Sequence, residues 1–377
     1  MKPVLALTFG IDHPSSRLRV SAYREALAQL GWRLDMHFFA HGMGSIAPLP
    51  ATFRQRIPWR LSYALRTLRM WLRLARLPRE QPLWISREVP AALWPLHLVG
   101  NPLVLDIDDA LYLGVGRSHI LQLCRRASAV VCGNSALADE LSPYARRCVV
   151  IPTVVDCRRY QVRTNHELSR PLRLGWLGSS LSVDFTLTPW LETLRSLRGK
   201  VEFELVTILD SPPRFVADLP WARHLTWSPE IEHTLSQHID VGLMPLSETP
   251  FLARKCGAKL LQYMAAGLPT IASPVGVNRE LVSHGLTGYW ATTTSDWHEA
   301  ILRLAASAEL RSAMGQAGRR AVEEGYSVTV WAPRWAALLE SLQASSPAPE
   351  SLEAERQQIA ARRGQAVEEH RQGPFGG

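Results

Sequence analysis

Two lysines spaced four apart, Lys255 and Lys259, stand at the head of an apolar run, Leu260, Leu261 and Met264, that closes on Gly267. The spacing predicts a helix beginning near Cys256 with both ammonium groups on one face at its N-terminal end. Two cations, the positive end of a helix dipole and backbone N–H groups without helical partners together favour a diphosphate. Pro269 then leads into a short buried strand, Thr270–Ala272. Ser273, Gly276 and Asn278 form a loop at its carboxyl end, where a glycine lets backbone amides come close to a phosphate. Three acids, Asp106, Asp108 and Asp109, close another apolar strand. Unpaired carboxylates are costly in a core, so they are expected to face a cleft. His13, His97, His119 and His284 have no partner spacing suited to a catalytic pair or a metal, and read as structural. No GxSxG, HExxH or P-loop sequence occurs.

Strand-end chemistry needs parallel sheets to position it. Short apolar runs alternate with helical patterns along the whole chain. Strands are expected at Val4–Phe9, Leu34–Phe39, Leu83–Ser86, Leu103–Ile107, Ala129–Cys132 and Val149–Ile151. A second series runs Leu172–Trp176, Glu202–Ile208, His224–Thr226, Val241–Met244, Thr270–Ala272 and Gly288–Trp290. A first helix is expected from about Arg17 to Leu30, stopping at Gly31. The alternation implies two doubly wound, Rossmann-like α/β domains, with ligands at the carboxyl ends of the strands and a cleft between the sheets. The restart near residue 170, after the polar stretch Gln161–Arg170, divides an N-terminal domain at 1–168 from a C-terminal one at 169–328. Residues 329–343 form a last helix, and 344–377 read as a polar, disordered tail.

The chain has 377 residues, enough for two such domains, with 46% hydrophobic residues and a net charge of +8. Its five scattered cysteines contain no CxxC pair, so neither a disulfide framework nor a zinc site is suggested. The N-terminal MKPVLALTFG lacks the apolar core and cleavage site of a signal peptide, and no apolar stretch is long enough to span a membrane. The expected location is therefore cytoplasmic. Residues 53–79 hold eight arginines and no acid, as many as the chain's net charge. Arg66, Arg69, Arg73 and Arg76 keep helical spacing beside Leu61, Leu65, Leu68 and Leu72, with Trp59 and Trp71 nearby. Either this helix lies on an anionic membrane surface, making the protein peripheral on the inner leaflet, or its leucines face the domain core and its arginines are merely solvated. Nucleic acid is the weaker partner, because no recognition motif accompanies the charge.

The run KCGAKLLQYMAAGLPTIASPVGVNREL resembles the retaining "group 1" glycosyltransferases of the GT-B fold, glycosyltransferase family 4. LRLGWLGSSLSVD, IDVGLMPL and the segment from LRSAMGQAG to ALLESL extend the similarity over about residues 170–340. SSRLRVSAYREAL, VLDIDDALYL and VVCGNSALADE carry it more loosely into the N-terminal half. The resemblance implies donor-diphosphate contacts at Gly178, Ser179 and Ser180 and at Lys255 and Lys259. It also implies that Gly276, Asn278 and Glu280 approach the phosphates and sugar, and that the last helix crosses back to the N-terminal domain. Acceptor or phosphate contacts are implied at Ser16, Arg17 and Arg19, orientation of the acceptor hydroxyl at Asp108 or Asp109, and a loop-fixing or acceptor-side role at Asn134. The family's paired glutamates, separated by seven residues, fall here at Arg254 and Gln262; Gln262 can still bind ribose hydroxyls. No cofactor is implied, and the basic groups stand in for a metal. The expected activity is transfer of a sugar from a UDP- or GDP-linked donor to a glycan or lipid-linked glycan, with retention. The alternatives are a non-catalytic nucleotide- or glycan-binding scaffold and a sugar-nucleotide epimerase.

Overall fold

The computed structural model describes residues 1–38, 65, 68–87, 99–114, 116–168 and 170–344. Most of the arginine-rich segment before residue 65, with His97 and the tail from 345 onward, lies outside the described residues. Two six-stranded sheets, parallel throughout, form the frame. The first contains β1 (Lys2–Thr8), β2 (Trp32–Phe38), β3 (Leu83–Ser86), β4 (Leu103–Ile107), β5 (Ala129–Cys132) and β6 (Cys148–Val150), in the order β2-β1-β3-β4-β5-β6. The second contains β7 (Leu172–Leu177), β8 (Phe203–Leu209), β9 (Ala222–Thr226), β10 (Val241–Met244), β11 (Thr270–Ala272) and β12 (Gly288–Trp290), in the order β12-β11-β10-β7-β8-β9.

The strands are apolar on both faces because helices cover both. On one face of the first sheet Leu5, Leu7, Leu83, Ile85, Leu103 and Leu105 form one core. On the other, Val4, Ala6, Trp84 and Val104 meet the helix Val328–Ala344, which returns from the second sheet. Trp335 of that helix stacks on Trp84 with ring centroids 3.8 Å apart.

Two local expectations need correction. The first helical segment is not one α-helix: Ser16–Val20 is π-helical, Ser21–Tyr23 is 3-10, and only Arg24–Gln29 is α-helical. The wide turn lets Arg19 reach inward to Asp106, where both side chains are 1% exposed. The lysine helix begins later than its charge spacing suggests, at Ala258 rather than near Cys256. Gly257 precedes it with φ +66°, a left-handed backbone that breaks the helical path. Lys255 therefore lies on the loop before the helix, and only Lys259 is on its first turn.

Candidate active site

Strand order reverses direction between β1 and β3 in the first sheet and between β7 and β10 in the second, and a cleft opens at those two points. Its walls come from the loops that follow the strands: His13 and Ser15 after β1, Arg87 after β3, Asp108 and Asp109 after β4, and Thr153 after β6. The facing wall is Gly178 and Ser179 after β7, Met244 ending β10, and the run Lys255–Lys259.

A chain of charges crosses the cleft. The Lys255 ammonium donates to Asp109 Oδ1 at 3.2 Å, and Arg87 donates to Asp109 Oδ2 and to Ser15 Oγ, each at 3.0 Å. Ser15 in turn donates to Asp108 Oδ2. Burial pushes the Asp109 carboxyl up, but the Lys255 and Arg87 charges outweigh it and hold the acid below the usual carboxylate range. Lys259 sits with its ammonium 5.0 Å from the Trp176 ring centroid. Burial, then repulsion from Lys255, lowers its pKa to about 7. His13 is lowered to about 4 by burial and then by Arg87, and its Nδ1 accepts from the Ser15 amide at 3.3 Å, so the imidazole is neutral with its proton on Nε2. Arg87 has φ +71°, the one positive φ outside glycine among the described residues. A side-chain-bearing residue held there stores backbone strain, and such strain collects at functional positions.

Close approach is built into the loop after β7. A Cβ on Gly178 would lie 2.1 Å from the Trp176 ring, so only glycine fits over the indole. Ser179 caps the helix Ser180–Thr186, and Ser180 donates to Asp210 from its amide and hydroxyl at 2.7 and 2.6 Å.

Six of the expected residues thus meet in one cleft: Lys255, Lys259, Asp108, Asp109, Gly178 and Ser179. Arg19 borders it, but its guanidinium is held by Asp106 and the Ile151 carbonyl. Ser16 is fully buried and hydrogen-bonded to Thr8. Arg17 turns away to join the two domains, ion-paired with Glu232 at 2.7 Å and stacked 4.4 Å from the Trp227 centroid. Asn134 caps the helix Ser135–Leu141 and donates to the Arg254 carbonyl at 2.9 Å, holding the lysine loop rather than a ligand. Arg254, at the first glutamate position of the resembled family, pairs with Glu140 of the opposite domain. Gln262 is 4% exposed and meets the Tyr160 hydroxyl. Asn278 is buried and braces the Ser273 carbonyl at 2.9 Å; Gly276 has φ +53° packed against Ala253; Glu280 is exposed to solvent. None of these last four lines the cleft. His13, Ser15, Arg87 and Thr153 do, and were not among the expected site residues. Their signal was positional: each follows the carboxyl end of a strand. Among the described residues no group of three or more His, Cys, Asp or Glu is gathered as a metal site, and no helix is long and apolar enough to cross a membrane.

Comparison with known proteins supports the fold. Residues 186–307 match the family described as "Glycosyl transferases group 1". No curated protein matches the sequence. Among solved structures, sucrose-phosphate synthase from Thermosynechococcus elongatus is similar at TM-score 0.67 and 17% identity, covering 92% of this chain and 100% of that one. HepE of Anabaena, solved in complex with UDP, gives TM-score 0.63 and 15% identity over 90% of this chain and 100% of that one. The lipopolysaccharide outer core galactosyltransferase WaaB gives TM-score 0.58 and 13% identity over 90% and 99%. Residues 186–307 thus match a group 1 glycosyltransferase domain, and the chain as a whole has the GT-B fold of these solved structures.

Proposed function

We propose that the protein transfers a sugar from a UDP- or GDP-linked donor to a hydroxyl of a glycan or lipid-linked glycan, with retention. The observation that carries the reading is the pairing of Lys255 and Lys259 with the helix start at Ala258, set beside Gly178 and facing Asp108 and Asp109. Lys259, Lys255 and the first N–H groups of that helix take the leaving diphosphate, stabilising charge as the glycosidic bond breaks without a metal in that role. The arriving diphosphate draws Lys255 away from Asp109. That frees a carboxylate already held ionised, which then accepts a hydrogen bond from the acceptor hydroxyl and orients it. Arg87 and Ser15 hold the Asp108–Asp109 pair in place. HepE has been solved with UDP and with UDP-glucose, which makes UDP the first nucleotide to try. Retention rests on resemblance to the group 1 enzymes, and WaaB, which acts in lipopolysaccharide, supports a lipid-linked acceptor.

The test is thermal-shift binding of UDP, GDP, ADP and CMP to the wild type and to a Lys255→Ala, Lys259→Ala double variant. One diphosphate stabilises the wild type and not the variant. No stabilisation by any nucleotide removes the donor reading and leaves a scaffold.

A further inference from the structure

The helix over residues 68–75 has two apolar stripes. Met70 and Leu74, 1% and 2% exposed, pack inward on the core of the first sheet. Leu65, Leu68 and Leu72 point outward, 46%, 55% and 46% exposed. Arg69, Arg73 and Arg76 flank that outer row, and with Arg33 of β2 they border a shallow hollow. The acid in the hollow, Asp35, is paired with Arg33. The reading in which the leucines serve the domain's own core therefore does not hold for Leu65, Leu68 and Leu72.

Exposed leucines ringed by cations mark an interaction surface. We propose that this flank seats the protein on an anionic phospholipid surface, with Leu65, Leu68 and Leu72 at the headgroup–acyl boundary and the arginines on lipid phosphates. Charge selects this occupant. A second copy in a two-fold dimer would set the same arginines against each other. Topology places the seat usefully. The helix joins two parallel strands, so it runs back antiparallel to them, and its Leu65 end lies toward the carboxyl ends where the cleft opens. An acceptor anchored in the leaflet meets the cleft along that edge. Only this last step rests on the function proposed above; the seat itself does not.

The experiment is co-sedimentation of the full chain with phosphatidylcholine vesicles, with and without phosphatidylglycerol, at low salt. The wild type pellets with the anionic vesicles only. Arg69→Gln, Arg73→Gln and Arg76→Gln together weaken partitioning on the order of a hundredfold, at about fivefold per arginine. Leu68→Gln with Leu72→Gln weakens it on the order of tenfold. Both variants keep the wild-type melting temperature and nucleotide response, which shows that they fold. No pelleting, equal pelleting with neutral vesicles, or a leucine variant that binds like the wild type overturns the proposal. So does self-association by light scattering that the leucine variant abolishes while no vesicle binds. Vesicle binding without nucleotide binding sinks the donor reading alone, and the reverse result sinks the seat alone.

Discussion

Lys259 is a cation held where charge is disfavoured until an anion arrives, and its replacement by methionine exposes that tension in two measurements. In the empty cleft its pKa is about 7, against an ordinary value of 10.5. Between those values the unfolded chain binds the proton and the folded one does not, so this group makes stability rise with pH across that window. Below it the penalty is complete. The full shift discounts to about 2 kcal/mol, because the side chain is only half-buried and solvent screens it. Lys259→Met is therefore expected to be more stable than the wild type by about that amount at neutral pH, in urea denaturation without ligand. A bound diphosphate reverses the preference and pulls a proton onto the amine. Calorimetric titration with UDP or GDP, in two buffers of different ionisation enthalpy, should show proton uptake that grows as the pH is raised from about 6 to 9. The methionine variant should lack that uptake and bind about 10- to 100-fold more weakly, the loss of one charge-assisted hydrogen bond. Equal proton uptake in both proteins, or a methionine variant that is less stable and binds as well, would refute the assignment of Lys259 to the diphosphate.

Other perturbations separate positioning from packing. Arg87→Gly relieves the strain at φ +71°, so it should leave the melting temperature unchanged or raised while sugar transfer falls about a hundredfold or more, read as initial rate and melting curve on one preparation. Arg19→Met strands Asp106 in the core and should cost about 3–5 kcal/mol in urea denaturation. Gly276→Ala would put a Cβ 2.1 Å from the Ala253 carbonyl oxygen at φ +53°; a loss of about 1–3 kcal/mol is expected, with weaker nucleotide binding as the lysine loop shifts. Arg17→Ala with Glu232→Gln removes the contact at 2.7 Å between domains and should increase the radius of gyration in small-angle scattering of the empty protein, with recovery on nucleotide addition.

Strand positions were the most legible feature of the sequence. Leu83–Ser86, Leu103–Ile107, Ala129–Cys132, Val241–Met244, Thr270–Ala272 and Gly288–Trp290 stand where their apolar runs place them, because a strand buried on both faces has few polar residues to blur its limits. The edge strand β2 begins at Trp32 rather than Leu34, since its length is set by pairing with β1 and not by its own pattern. The first helix resisted reading because Arg19 looks like a surface charge until Asp106 is found beneath it. Among the expected ligand contacts, residue type identified the cations but not their use. Lys255 faces the cleft and Arg17 faces Glu232, and that difference lies in which strand end comes opposite, a long-range fact absent from local spacing. Arg87 shows the converse. Its neighbours Ser86 and Glu88 give no chemical hint, yet its place one residue beyond β3 does.

The return of Val328–Ala344 to the first sheet has a consequence for how the protein is made. Trp335, Leu338, Leu339 and Leu342 cover Val4, Ala6, Tyr23 and Trp84, residues synthesised more than two hundred positions earlier. On the ribosome the first domain waits with one side of its sheet uncovered while the whole second domain is translated and folds. The domain that begins first is completed last. An arrested chain ending before residue 328 therefore exposes an indole and a phenol to chaperones and proteases, while a chain extended through residue 344 hides both.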